Sequence, residues 1–212
     1  MHTAEHTPSA PEMTAAVING AVDRAEDRGN VSAQELGRTI EYAAAGLELN
    51  DQEVRQYIAA IQRMSHDAAI GPLPDGVGGQ FNGSITIATN TLKVPAAEAG
   101  RHGVSQTIAR MEEAFEHELY HAMHHHTDPM MTYDGSSTVV IAGEGFETTE
   151  IIEGLTVATT GEEFVSEEYK SYKARLLQCI DEADLTLGNV EKAVDRKDLG
   201  LIDDRSPKPL AA

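Results

Sequence analysis

From Ser105 to His126 the chain places Ile108, Met111, Phe115, Leu119 and Ala122 three and four residues apart, the spacing of one stripe along an α-helix. Asp128-Pro129 follows and stops such a helix, because proline cannot donate the next backbone hydrogen bond. The last twelve positions of that run, FEHELYHAMHHH, hold five of the nine histidines in the chain. Two of them, His117 and His121, stand four residues apart. That step is about one helical turn, so both rings lie on one face and can reach a single metal ion, with Glu118 beside them as a candidate general base. A fold that uses this pattern must keep the helix whole and bring further ligands to it.

The sequence before that run reads as short helices. Val17, Ile18, Ala21 and Val22 mark one, Leu36, Ile40, Ala43 and Leu47 a second, and Val54, Ile58 and Ile61 a third. Ser32 with Glu35 and Asn50 with Glu53 have capping-box spacing, within a weak repeat of VSAQELGRTI (31–40) against LNDQEVRQYI (49–58). RAEDRGNVSAQE (24–35) resembles the second half of an EF-hand loop, yet Arg24 and Arg28 occupy positions where calcium needs oxygen ligands. Helix capping accounts for that stretch without a metal.

Pro72, Pro74 and four glycines between 71 and 79 predict a break or hinge. SITIATN (84–90) alternates like a half-buried strand, and STVVIAG (137–143) reads as a short one. Helices are expected at about 147–159, 167–182 and 189–197, while residues 1–11 and the tail SPKPLAA lack periodicity.

Composition narrows the partners. Sixteen basic residues against 35 acidic ones give a formal charge of −19, which repels nucleic acid and anionic membrane surfaces. The single cysteine, Cys179, excludes an intrachain disulfide and a thiolate-rich zinc site, and it reads as a buried apolar residue. The N-terminus has neither a basic nor an apolar region of a Sec leader, so a cytoplasmic location is the default expectation and export by another route stays open.

A catalytic zinc takes three protein ligands and keeps a fourth position for water. The HExxHxxGxxH arrangement is ruled out, since position 124 is His124 and position 127 is Thr127. Met130 and Met131 are then loop or core residues rather than a Met-turn, and His124, His125 and His126 read as a solvated or adventitious metal-binding patch rather than catalytic groups. GFETTEIIEGLTVATTG offers Glu147, Glu150 and Glu153 as the third ligand.

HELYH followed 32 residues later by EGLT resembles the gluzincins, zinc peptidases whose third ligand is a helical glutamate usually written NEG or NEA. HELYHAMHH is also loosely similar to compact zinc-protease effectors that bacteria inject into host cells. The gluzincin resemblance covers roughly residues 80–180 and implies Glu153 as ligand, with Glu150 as the fallback, although Ile152 replaces the usual asparagine and Val157 the usual orienting aspartate. It further implies Zn²⁺ as cofactor, a peptide or protein substrate laid along a strand edge near 84–90, and a tyrosine oxyanion donor, for which Tyr169 and Tyr172 are the candidates.

The expectation is thus an α+β, mainly helical chain. It would have a lead-in (1–11), an N-terminal helical region (12–70) able to meet a protein partner or shield a cleft, a zincin-like metallopeptidase core with a small antiparallel strand layer (71–200), and a flexible tail (201–212). Two rivals remain: a zinc hydrolase acting on a non-peptide amide, and a non-catalytic helical interaction module.

Overall fold

The computed structural model describes residues 8–47, 49, 52–64, 68–95, 101–125, 138–141 and 143–195. Their order is α1 (Ala10–Arg28), β1 (Val31–Ser32), α2 (Ala33–Gly46), α3 (Gln52–Arg63), β2 (Ala68–Gly71), β3 (Gly79–Phe81), β4 (Ile85–Ala88), α4 (Thr89–Leu92), α5 (Arg101–His125), β5 (Thr138–Ile141), β6 (Glu144–Glu147), α6 (Thr148–Thr160), α7 (Glu167–Glu182) and α8 (Leu187–Asp195). The chain is α+β and mainly helical, and none of the described helices is long and apolar enough to cross a membrane. It forms two compact units, Met1–Leu119 and Tyr120–Ala212, and the division falls inside α5.

In the first unit most of the expected stripe positions of the three early helices are buried, but Ala43 and Ile58 are only partly so and Leu47, expected on the second stripe, is 60% exposed just past its helix. Val17, Ile18, Ala21 and Val22 of α1, Leu36, Ile40 and Ala44 of α2, and Val54, Tyr57, Ala60 and Ile61 of α3 all face the core. The first helix starts earlier than expected, at Ala10. Ser9 and Glu12 form a capping box there and Pro11 sits in the first turn, where its missing N–H costs nothing. At α2 the Ser32 side chain accepts from the Glu35 N–H. Asn50 of the second expected box lies outside the described residues.

Four strands form a mixed sheet in the order β1-β2-β4-β3. This corrects the expected antiparallel layer: β2 runs parallel to β4, Ala68 opposite Ile85 and Ile70 opposite Ile87, while β1 and β3 pair antiparallel at the two edges. The 84–90 segment is also corrected, from an edge to a central strand. All four β4 residues are buried, Thr86 among them, so the apparent alternation of apolar and polar residues did not report a solvated face. The sheet further joins β1 and β2, from the expected helical region, to β3 and β4. The Pro/Gly stretch is instead the connection that carries the chain from β2 to the far edge.

Polar ties fix this unit's connections. The Tyr57 hydroxyl donates to the Leu92 carbonyl (2.6 Å), the Asn19 side chain holds both the N–H and the carbonyl of Val94, and Lys93 pairs with Asp23 and Glu26 of α1.

In the second unit β5 and β6 form an antiparallel hairpin, and α6 packs on α7. Their core contains Ile141, Phe146, Ile151, Ile152, Leu155, Leu176, Cys179, Ile180, Val190 and Val194. Cys179 is buried there, as its apolar reading requires. Arg175 of α7 lies over the Phe146 ring, 4.4 Å from its centroid, and donates to the Gly145 carbonyl and the Glu150 carboxylate, tying the hairpin to both helices.

Candidate metal centre

The buried face of α5 is not the stripe that its apolar residues suggest. Val104, Thr107 and Met111 are buried, and the same three- and four-residue steps continue through Ala114 to Glu118 and His121. Leu119, expected on the core face, is 36% exposed, whereas His117, Glu118 and His121 are only 7%, 6% and 5% exposed. The helix therefore turns its polar motif inward. Burying groups that can ionise is costly unless they are paired, hydrogen-bonded or bound to a metal.

Glu118 is set by β3. A Cβ added at Gly79 would lie 2.7 Å from the Glu118 Cγ and 2.9 Å from its Oε1, so the carboxylate rests directly against the backbone of this edge strand. At Gly78 an added Cβ would meet Ala114, one turn earlier on α5, at 3.7 Å. Gly79 lets the motif helix approach the strand closely, whereas a Cβ at Gly78 would make only ordinary contact.

On α6 the three candidate glutamates separate. Glu147 is the exposed N-cap residue, and its side chain forms a capping box with Glu150. The Glu150 carboxylate accepts from the Glu147 N–H at 2.8 Å and from Arg175 Nη1 at 2.8 Å, so the structure engages it in holding the helix start. Glu153, one turn on, directs Oε2 to 3.5 Å from His121 Nε2, with its side chain 15% exposed. Gly154 beside it also has a packing role: an added Cβ would lie 3.2 Å from the Tyr172 carbonyl group, so glycine lets α7 close on α6 at the level of Glu153.

His117, His121 and Glu153 each offer a ligand atom, and these atoms all lie within 4.8 Å of one another. His117 joins the group through the unbroken turn of α5 that separates it from His121. The donors fit a zinc ion: two ligands bound tetrahedrally at about 2.0–2.1 Å stand roughly 3.3 Å apart. The 3.5 Å between His121 and Glu153 is close to that separation and longer than a charge-assisted hydrogen bond of about 2.7–2.9 Å. Two imidazoles and one carboxylate also leave a fourth tetrahedral position for water. The group can therefore bind a metal ion.

The other sequence candidates have identifiable surroundings. Tyr172 donates its hydroxyl to Glu168 at 2.5 Å, and that bond pushes its pKa up to about 12. Tyr169 stacks on Tyr172 with ring centroids 5.9 Å apart. His124 packs against the Tyr120 ring at 4.4 Å, which gives it a local packing partner. His126, Met130 and Met131 lie outside the described residues, as does the side chain of His125.

Sequence reasoning missed Gly79 and Tyr120. The double glycine at 78–79 was visible but served as a break signal. Tyr120 occupies a free position of the pentapeptide, yet it is 7% exposed and donates to Glu191. Compared with known protein families, with curated proteins and with solved structures, the chain matches none.

Proposed function

We propose that this chain is a zinc-dependent hydrolase of peptide bonds with a zincin-like core, in which His117, His121 and Glu153 hold the metal and Glu118 is the general base. The observation that carries this reading is the group of three ligand atoms within 4.8 Å, formed from a buried HExxH helix and a glutamate of a second helix. Bound there, zinc would lower the pKa of a water toward 7 and polarise the scissile carbonyl.

The chain's own residues supply the rest. Glu118 takes a proton from the attacking water as its oxygen bonds to the carbonyl carbon, and returns that proton to the amine nitrogen as the C–N bond breaks. An acid and an amine result. Gly79 lies against the Glu118 carboxylate, and β3 is hydrogen-bonded to β4 alone among the described strands. An extended peptide that added a strand to β3 would pass this carboxylate, which moves the expected docking edge from 84–90 to 79–81. Tyr172 keeps its proton at neutral pH and is chemically able to donate to an oxyanion, as Tyr169 is, provided Tyr172 gives up Glu168.

Glu118→Gln tests the proposal. The substitution preserves shape and removes the base, so zinc content should be unchanged while hydrolysis of a peptide library falls about 10²- to 10⁴-fold. Unchanged hydrolysis with zinc bound would sink the assigned mechanism.

A further inference from the structure

The second unit contains a carboxylate that the proposed reaction does not use. Glu191, on α8 between the core residues Val190 and Val194, accepts a hydrogen bond through Oε1 from the Tyr120 hydroxyl at 2.8 Å. The same oxygen accepts from Thr159 Oγ1 at 3.3 Å. Tyr120 immediately precedes His121 on α5, and Thr159 lies six residues after Glu153 on α6. One oxygen atom thus ties the helix that carries His121 to the helix that carries Glu153.

We propose that Glu191 is a positioning residue for the metal centre: by holding Tyr120 and Thr159 together it fixes the separation of His121 and Glu153. The inference rests on the zinc reading above. A hydroxyl donating to a carboxylate makes a strong, directional bond, and Tyr120 is buried enough for water to be a poor substitute. Core residues on α8 hold the acceptor from the other side, since Val190 and Val194 are fully buried. Without the tie, α5 could slide or rotate against α6 by a fraction of an ångström. The 3.5 Å ligand separation would then be one arrangement among several.

The test is zinc affinity, measured by competition with a chelating dye on the full chain. Glu191→Ala and Tyr120→Phe should each weaken zinc binding about 10- to 100-fold, as loss of outer partners of a metal site does. The double variant should be little worse than either single one, because both remove the same bond. Glu191→Gln keeps an acceptor oxygen and should restore most of the affinity. Ile180→Val, which loosens the same core without touching the tie, should leave it at the wild-type value. The inference is overturned if Glu191→Ala binds zinc as tightly as wild type, or if Ile180→Val weakens binding as much as Glu191→Ala does. A wild-type chain without zinc affinity overturns the zinc reading as well, so the two failures are distinguishable.

Discussion

Two stretches of this chain spell parts of metal-binding motifs, and the fold treats them in opposite ways. In 24–35 the closing glutamate of an EF-hand-like loop, Glu35, is half exposed and paired with Arg28 at 2.8 Å, and Val31–Ser32 pairs as β1 with β2. Arg28, Ser32 and Glu35 there have ordinary structural roles. In 117–121 the ionisable residues are turned inward at 5–7% exposure, and a second carboxylate, that of Glu153, comes to them from another helix. The contrast shows where a motif match gains meaning. A glutamate at the surface costs the fold little, whereas burying two imidazoles and a carboxylate requires pairing, hydrogen bonding or a metal ion.

The comparison can be broken most sharply by thermal unfolding with each metal. Zinc at about a thousand times its Kd should stabilise the fold by roughly 4 kcal/mol, a Tm rise on the order of 10 °C for a chain of this size. Calcium at the same concentration should leave Tm unchanged. A calcium-dependent rise would mean that the 24–35 turn binds metal despite its arginines, and the contrast would collapse.

A smaller effect is expected at β3. Gly79→Ala forces a methyl group against the Glu118 carboxylate and should lower hydrolysis on the order of 10²-fold with zinc content intact, because misplacing a reacting group by about 1 Å has that consequence. Wild-type turnover in this variant would show that Glu118 yields without loss and that its contact with β3 does not orient it. The smallest effect belongs to the other motif. Arg28→Ala removes an exposed ion pair and should change stability by less than about 1 kcal/mol in chemical denaturation, with or without calcium.

Much of the helical part was legible in the sequence. The apolar spacing of α1 to α3 and the Ser166-initiated span of α7 depend on local propensity and capping, which a single sequence records. The motif was legible too, since four-residue spacing on a helix fixes geometry without tertiary information. The strands were mostly not: β2, β3 and β6 (AAIG, GQF and EGFE) lack the run of β-branched residues that marked β4 and β5 (ITIA and TVVI), and β1 is only two residues long. The inward face of α5 was misread because Leu119 fits an apolar stripe while Glu118 and His121 do not. Only tertiary packing decides which adjacent stripe is buried. Glu153 was ranked above Glu150 only by resemblance, for a similar reason: the partner that engages Glu150 is Arg175, on the following helix.

The central claim is that His117, His121 and Glu153 form one zinc site, and elemental analysis of purified, tag-free protein tests it most directly. Wild type should carry one zinc per chain, Glu150→Gln should keep it, and both His121→Ala and Glu153→Ala should lose it. Wild type free of zinc after exposure to excess metal, or Glu153→Ala retaining a full equivalent, would contradict the account.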